Sequence, residues 1–410
     1  MPEQTVGLEA TSLVEQIFRD QFAALFAWIV RSLRDFDAAE DALQDAFVIA
    51  LRHWPTDGVP ANPRAWLAVT ARNCAVDRIR RERRRPPLEE EMNRLTAAPW
   101  DPGDLDDEVL RLVFTCCHPA LSLDARVALT LRTVCGLGLP EIAHAFLLSE
   151  TTLAQRLVRA KRKIRTARIP FEVPSTEMLA DRLAGVLGVV YLVFNEGYVA
   201  TEGPSLMRPD LCKEGIRLAR LLATLMPQEP EVRSLLALLL LTDARRPART
   251  DAAGEPVLLP DQNRTLWDRS QIHEGLVELG RAGRHHQAGP YFLQAAIAAE
   301  HAGAERAEET NWQRIVRLYD ALVRLTPSPV AQLNRLVALS MVAGPEIAYL
   351  ELDTLEVSLG DYSYYHAVRG DLLRRLDERS GARSAYERAS TLATNPKQRV
   401  ALARVAAELA

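Results

Sequence analysis

The stretch of sequence that decides the fold covers residues 139–168 and reads LPEIAHAFLLSETTLAQRLVRAKRKIRTAR. Pro140 favours the start of a short helix, because a residue in the first turn has no intrahelical partner for its N–H group. Ser149 is a favoured N-cap residue for a second helix from residue 150 to about residue 166. The apolar residues of that helix recur at helical spacing, at Leu153, Leu157, Ala160 and Ile164. The sequence therefore predicts two short helices joined by a tight turn.

The second predicted helix carries strong positive charge on its other face. Residues 150–168 contain seven Lys and Arg residues against Glu150, a net charge of +6. A short helix followed by a basic one is typical of a helix-turn-helix whose second helix enters the major groove of DNA. The side chains at its N-terminal end, where base edges are reached, are Thr151, Thr152, Gln155 and Arg156. The alternative is an amphipathic surface helix whose charged face is only solvated.

Length and composition favour a soluble chain of several domains. Its 410 residues are enough for two or three domains that each bury a core. The net charge of −4 alone argues against nucleic acid, but residues 1–170 hold 23 basic and 23 acidic residues gathered in separate patches. The five cysteines are few and odd in number, which argues against a disulfide framework. This cysteine content favours a reducing cytoplasm. No signal peptide is evident, and the most apolar run, at residues 235–241, is too short to span a membrane.

Residues 12–52 are predicted to form two helices, and the second carries an acidic edge. This helix begins near Asp37, which we expect to cap it, with a glutamate three residues later as in a capping box. Its outer edge carries Glu40, Asp41, Gln44 and Asp45. Its predicted inward-facing residues are Leu43, Phe47, Ala50 and Leu51.

A third helix is predicted over residues 63–85, PRAWLAVTARNCAVDRIRRERRR. Its second part holds seven arginines, at residues 72–85, against two acidic residues. Basic residues beside Trp66 and Asn73 suit single-stranded or melted nucleic acid, where stacking and phosphate contacts combine. The alternative is a solvated helix end whose cations complement the helix dipole.

The remaining sequence predicts a linker and a long helical extension. Residues 86–108 carry eight acidic residues, one arginine and several prolines, which indicates an extended linker. Helix returns from about residue 107 and is interrupted by HPALS at residues 118–122. Beyond residue 176 the apolar patterns are helical, and prolines 69 residues apart, at Pro327 and Pro396, indicate helix-pair repeats of the tetratricopeptide type. Such repeats stack into a binding surface.

Taken in order, these motifs resemble regions 2 and 4 of a bacterial sigma-70 family factor. The matching segments are the acidic-edged AEDALQDAFVIAL at residues 39–51, the arginine-rich helix, the acidic linker and the helix-turn-helix. Without regions 1 and 3, the chain resembles the extracytoplasmic-function (ECF) type. Two further segments, VYLVFNEGYVAT at residues 190–201 and GPYFLQAAIAAEHA at residues 289–302, resemble the ECF subgroup that bears a tetratricopeptide-like C-terminal extension.

The resemblance implies a role for each set of residues. One set would bind the β′ clamp helices of core RNA polymerase: Asp41, Gln44, Asp45, Phe47 and Leu51. A second would face the −10 element as it melts: Trp66, Asn73, Asp77, Arg80 and Arg81. A third would read the −35 element as duplex: Thr151, Thr152, Gln155, Arg156, Arg159 and Lys163. Other implied partners are the polymerase β flap and, at the extension, a small regulatory protein of the YCII-related, DGPF-motif type.

The prediction is thus an all-α protein with region 2 at residues 10–86, an acidic linker at residues 87–106, region 4 at residues 107–169 and a helical-repeat domain at residues 176–410. We expect no catalytic residues, cofactor or metal. Cys116, Cys117 and His118 lack a second ligand pair, so a buried helix end is favoured over a zinc site. The alternatives are a free-standing helix-turn-helix regulator with a solenoid sensor, and an enzyme whose C-terminal pocket acts on a small molecule.

Overall fold

The computed structural model describes residues 2–82, 105–146, 148–200, 205–251, 254–285 and 288–409. These residues form nineteen α-helices and several 3₁₀ turns, and they contain no β-strand beyond one isolated bridge between Thr250 and Pro256. The all-α prediction is confirmed. The chain divides into two compact units, Met1–Val189 and Val190–Ala410. Most of the predicted acidic linker lies outside the described residues.

The first unit begins with three helices, α1 (Pro2–Leu33), α2 (Phe36–Asp57) and α3 (Pro63–Glu82). Aromatic rings join α1 to α2: Phe18 lies 5.1 Å from Phe47, and Phe26 lies 5.7 Å from Phe36 between ring centroids. Edge-to-face rings of this kind contribute beyond their buried area. α3 packs along α2 through buried Leu67, Ala68, Ala71 and Ala75.

The N-terminus of α2 differs from the prediction. The N-cap residue is Asp35, whose carboxylate accepts hydrogen bonds from the backbone N–H groups of Asp37 and Ala38 at 2.9 and 3.1 Å. Asp35 has extended backbone angles, as an N-cap requires, whereas Asp37 already lies inside the helix. The prediction that Asp37 caps α2 is therefore wrong, and its carboxylate is available for another partner.

The second half of the first unit holds α4 (Leu105–Cys116), α5 (Leu123–Thr133), α6 (Leu139–Ala145) and α7 (Glu150–Thr166). The predicted break at residues 118–122 and the predicted cap at Ser149 are confirmed, since Ser149 Oγ accepts from Thr152 N–H at 3.1 Å. After α5 the chain turns at Gly136, whose φ of 71° lies in the left-handed region that favours glycine and where a Cβ would lie 3.3 Å from the Phe22 ring. α6 and α7 form the predicted helix-turn-helix.

The remaining helices begin with α8, which crosses the division between the two units. Six of the later helices start at a proline, whose fixed φ suits the first helical position. In order these helices are α8 (Thr176–Tyr198), α9 (Pro209–Leu225), α10 (Pro230–Asp243), α11 (Arg269–Ala282), α12 (Pro290–Gly303), α13 (Trp312–Leu325), α14 (Pro329–Ala343), α15 (Pro345–Leu352), α16 (Glu356–Leu359), α17 (Ser363–Arg375), α18 (Arg379–Leu392) and α19 (Pro396–Glu408).

In the second unit, helices that follow each other in sequence pack against each other. α10 lies against α9, α11 and α12, and its leucines from residue 235 to residue 241 are buried on all sides. α17 and α18 cross closely where Gly370 faces the Tyr386 ring. A Cβ at residue 370 would lie 2.9 Å from that ring, so the close crossing depends on a glycine there. This helix-pair packing is what a helical-repeat region requires.

Candidate nucleic-acid and partner interface

The basic helix α7 has an apolar side in the core and a polar side toward solvent. Its buried residues are the four predicted ones, Leu153, Leu157, Ala160 and Ile164. The exposed residues include most of the predicted −35 set: Thr151, Thr152, Gln155, Arg159 and Lys163. The Ser149 hydroxyl lies 2.9 and 2.8 Å from the hydroxyls of Thr151 and Thr152, which orders the start of the helix. This surface is open to a ligand.

Arg156, the remaining residue of that set, is partly covered. Its guanidinium lies 3.3 Å from the Asp124 carboxylate at the start of α5, and its side chain is 27% exposed. Asp124 is itself well exposed, so this ion pair is weak and can exchange for another anion.

The acidic edge of α2 is mostly exposed. Gln44 and Asp45 face solvent, and Asp41 forms an ion pair at 2.8 Å with Arg78 of α3. Leu51 is 42% exposed, so the prediction that it faces the core is wrong. The inward stripe follows Leu43, Phe47, Ala50 and Trp54, which leaves Leu51 at its margin.

Phe47 lies in the core of the first unit. Its side chain is 5% exposed and packs edge-on against Phe18. The structure therefore separates the predicted polymerase-binding set into four residues on the surface of α2 and one that supports that surface from beneath.

The predicted −10 set lies along α3. Trp66 is half-buried and stacks edge-on against buried Trp54, with ring centroids 5.5 Å apart. Asn73 and Asp77 are exposed one turn apart on the same side of the helix. The side chains of Arg80 and Arg81 lie outside the described part of the chain. The arrangement places an aromatic ring and polar side chains along one helix.

A second set of charged contacts joins α7 and α5 to α2. We call it the α2–α7 ion cluster, and its members are Asp37, Glu40, Arg132 and Lys161. Lys161 Nζ lies 2.9 Å from the Asp37 carboxylate and 2.6 Å from that of Glu40. Arg132 of α5 donates from Nε to the same Glu40 carboxylate at 2.8 Å. The side chains of Lys161 and Glu40 are only 11% and 15% exposed.

The neighbouring charges in this cluster favour the ionised forms of Glu40 and Lys161. Burial alone would raise the pKa of the Glu40 carboxyl, but Lys161 and Arg132 lower it below its ordinary value. Burial would lower the pKa of Lys161, but Glu40 and Asp37 raise it above its ordinary value. This cluster was not predicted from the sequence, because the pattern placed Lys161 with the DNA-facing charge and Asp37 at the helix cap.

A buried carboxylate also ties α1 to α4. Glu108 is 1% exposed and accepts hydrogen bonds from Arg31 at 2.7 Å and from Arg111 at 2.8 Å. Two guanidinium groups around one carboxylate offset its loss of hydration. The sequence pattern counts Glu108 in the acidic run at residues 86–108 and does not indicate this pairing.

The cysteines beside His118 lie inside the first unit. Cys116 Sγ lies 3.2 Å from the Thr133 hydroxyl, and Cys117 Sγ lies 3.5 Å from that of Thr130. Burial raises the pKa of the Cys117 thiol to about 11 and raises that of Cys116 as well. Within the described ranges, no group of three or more His, Cys, Asp and Glu residues is arranged to hold a metal ion. The prediction of a buried helix end is confirmed.

Polar residues of the second unit mostly support helix ends. Arg264 is 8% exposed, stacks on Trp267 and donates to the carbonyls of His301 and Ala304 at the end of α12. Asp268 caps α11 through the N–H group of Gln271. Burial, with nearby arginines, lowers the pKa of His301 to about 4.

Comparisons with known proteins fit this geometry. The family described as sigma-70 region 2 matches residues 18–85, which cover the second half of α1 and all of α2 and α3. The family described as sigma-70 region 4 matches residues 111–164, which cover the helix-turn-helix. The ECF RNA polymerase sigma factor SigL of Mycobacterium tuberculosis (strain ATCC 25618 / H37Rv) is 27% identical over 155 residues, 38% of this chain and 88% of SigL. The chain belongs to the ECF group of the sigma-70 family.

This ECF family member carries a further region beyond those shared with SigL. A protein of Rhizobium meliloti (strain 1021) described as uncharacterized is 47% identical over 392 residues, 93% of each chain. A family of unknown function (DUF6596) matches residues 182–283, inside the predicted helical extension. No solved structure matches the chain.

In the described part of the chain, no helix combines the length and apolar character that crossing a membrane requires. Sigma factors are not a class of enzymes.

Proposed function

We propose that this sigma factor binds core RNA polymerase, directs it to promoters through their −35 and −10 elements, and is regulated through its C-terminal helical domain. The observation that carries the proposal is a helix-turn-helix with an exposed polar side, preceded in the chain by an α2 with an exposed acidic edge. The proposed domains are region 2 at residues 10–86, a linker at residues 87–106, region 4 at residues 107–169 and the helical-repeat domain at residues 176–410.

In region 4, α7 would read duplex DNA. Its exposed threonines, Gln155 and Arg159 can reach base edges, while Lys163 neutralises phosphate. Arg156 would exchange its weak pair with Asp124 for a base or phosphate contact. A bidentate arginine contact discriminates between bases by about 1–3 kcal/mol.

In region 2, α3 would hold the −10 element as it melts. Trp66 offers a ring against which an unpaired base can stack, and Asn73 and Asp77 offer hydrogen-bonding groups along the same helix. Arg80 and Arg81 would supply phosphate contacts. On α2, the surface formed by Asp41, Gln44, Asp45 and Leu51 would bind the polymerase clamp helices, with Phe47 as its support.

The C-terminal domain is proposed to regulate these activities or to bind a small regulatory protein. Helical repeats generally present binding surfaces for proteins and peptides. The competing interpretation, a free-standing helix-turn-helix regulator, leaves the acidic edge of α2 and the arginine-rich α3 without a role.

Binding measurements with the full-length chain test this function. We expect it to bind core polymerase, and we expect the complex to select a DNA fragment from upstream of its own gene. Leu51→Asp should weaken core binding without changing the thermal unfolding midpoint, and Leu325→Asp, at an exposed leucine of α13, is the matched control. Specific DNA binding by the chain alone, with no affinity for polymerase, would favour the free-standing regulator.

A further inference from the structure

The further inference concerns tyrosine and arginine side chains that come together in the second unit. All nine tyrosines of the chain lie between residues 191 and 386. Tyr191 of α8 lies 5.9 Å from Tyr291 of α12 between ring centroids. Burial raises the pKa of Tyr319 of α13 to about 12, and the nearby Tyr191 hydroxyl adds to the increase. Tyrosines from three helices therefore lie close to one another.

The end of the second unit contacts its beginning. Asn395, the N-cap residue of α19, is 1% exposed and donates from Nδ2 to the backbone carbonyls of Ala200 and Ser205 at 3.0 and 3.1 Å. Lys397 adds an ion pair of 3.2 Å with Glu255. Because the two hydrogen bonds join residues 195 and 190 positions apart, the row of helices curves back on itself. The inner side of such a row suits a small molecule better than an extended polypeptide.

Two arginines that follow α10 lie among these tyrosines. The Arg249 guanidinium stacks on the Tyr198 ring, 3.8 Å from its centroid, and donates to the Tyr198 backbone carbonyl. Arg245 Nη2 lies 3.4 Å from the Tyr198 hydroxyl. Burial raises the pKa values of Tyr319 and Tyr364, and the charges of Arg245 and Arg249 respectively oppose that increase. The two arginines therefore lie near α13 and α17, which are distant from them in the sequence.

Neither arginine has an anionic partner within the part of the chain that the structure describes. Arg246, which lies between them in the sequence, pairs with Asp243 at 2.8 Å, whereas Arg245 and Arg249 form no ion pair with a described residue. Each guanidinium has five N–H groups, and each donates a single hydrogen bond to those residues. Both side chains are partly buried, and Arg245 Nε is buried with no hydrogen-bond partner among the described residues. A partly buried charge without a counter-charge costs free energy, so these two arginines suit an anion from outside the chain.

His301, at the end of α12, lies in the same positive electrostatic field. Burial lowers its pKa to about 4, and Arg245 and Arg264 contribute to the decrease. Burial and Arg245 lower the pKa of Arg264 as well, and the carboxylates of Glu308 and Glu309 do not reverse that decrease. The potential around Arg245 is therefore positive and attracts an anion.

We propose that Arg245 and Arg249, with the hydroxyl groups of Tyr198 and Tyr319, form a binding site for a small organic anion that has a phosphate or carboxylate group on an aromatic body. The inference goes beyond the proposed function, because every residue of the site lies in the second unit and the site does not depend on polymerase binding.

Each part of the site has a separate role in holding the anion. The planar guanidinium groups match the oxygens of a phosphate or carboxylate and bind them through charge-assisted hydrogen bonds. The Tyr198 hydroxyl accepts from Arg245, so its own proton is free to be donated to the anion. The tyrosine rings pack against the aromatic body of the ligand.

Titration of the full-length chain with phenyl phosphate and with benzoate, followed by ligand-observed NMR, tests the site. At low ionic strength we expect at least one of the two to bind with a dissociation constant below about 1 mM. Phenol, which has the same ring without the anionic group, should bind at least about tenfold more weakly. Tighter binding of phenyl phosphate would assign the site to phosphates, and tighter binding of benzoate would assign it to carboxylates. No binding of either probe at about 20 mM, or equally tight binding of phenol, would overturn the proposal.

A variant pair locates the binding of the preferred probe. Arg245→Gln removes the charge and keeps an N–H donor, so the affinity should fall about tenfold to a hundredfold. It should not lower the thermal unfolding midpoint of the free chain, because the charge it removes has no counter-charge among the described residues. Arg324→Gln, the same change at an exposed arginine of α13, should leave the affinity unchanged.

A second variant tests the site with a smaller change. Tyr198→Phe removes the hydroxyl and keeps the ring on which Arg249 stacks, so the probe should bind about twofold to tenfold more weakly. Unchanged affinity in Arg245→Gln and Tyr198→Phe, with both folded by circular dichroism, would overturn the site. An equal loss of affinity in Arg324→Gln would also overturn it, since the binding would then depend on net charge alone.

Discussion

At the scale of single residues, neighbours on one helix have opposite environments. Phe47 and Leu51 lie one turn apart on α2, yet Phe47 is 5% exposed against Phe18 and Leu51 is 42% exposed. The sequence pattern placed both in the core and the family resemblance placed both at the polymerase surface. Neither the sequence pattern nor the resemblance could distinguish the buried residue from the exposed one, because the direction of the inward stripe depends on how α1 and α3 pack on α2.

We expect substitutions at these two positions to separate stability from binding. Phe47→Ala should lower the free energy of unfolding of the first unit by about 3–5 kcal/mol, because it leaves a cavity beside Phe18. Leu51→Ala should change stability by less than about 0.5 kcal/mol and weaken core binding by about fivefold to tenfold. Denaturant unfolding and a polymerase binding titration, each on the full-length chain, measure both effects. Similar stability losses in the two variants would contradict the assignment.

His301 gives the second unit a pH dependence whose direction follows from its pKa. The folded-state pKa is lowered to about 4 from an ordinary value of 6.5, so the unfolded chain binds the proton more readily between these values. The free energy of unfolding should therefore decrease by about 2 kcal/mol as the pH falls from 6.5 to 4.5. His301→Gln should flatten this part of the profile, as measured by urea unfolding at several pH values. An identical slope in wild type and variant would rule out His301 as its cause.

At the scale of helices, the sequence predicted the helix-turn-helix with its buried residues and its cap. Those features depend on local signals, namely Pro140, Ser149 and an apolar stripe of period 3.6. The cluster of Asp37, Glu40, Arg132 and Lys161 could not be predicted in the same way. Its members lie about a hundred residues apart, and any of many surface charges could have paired with them.

The exposed side of α7 leads to a prediction of base specificity. Arg159→Ala should weaken binding of the polymerase complex to its preferred −35 sequence by about 1–3 kcal/mol and relax the preference at one base pair. Arg324→Ala, which removes an equal charge from an exposed site on α13, should change neither. Affinities for DNA fragments with single −35 substitutions provide the measurement. A uniform loss of affinity for all the DNA fragments would show that Arg159 contacts phosphate and reads no base.

At the scale of the whole molecule, the order of regions was predictable and the boundaries between units were less so. The sequence indicated a sigma-like part followed by a helical extension, and family matches lie in that order. The division of the structure at Val189, however, falls inside α8. Arg182 in the first half of this helix donates to the Phe114 carbonyl of α4 at 2.8 Å. The helix has no proline at this point, and it continues through the two nearby glycines, Gly185 and Gly188, so the sequence does not mark the boundary.

The most direct test of the account is run-off transcription with purified core polymerase, the full-length chain and the DNA upstream of its own gene. The chain should produce a discrete transcript that core polymerase alone does not. If the chain neither binds core polymerase nor yields a specific transcript from any fragment of its genome, the sigma-factor account is contradicted.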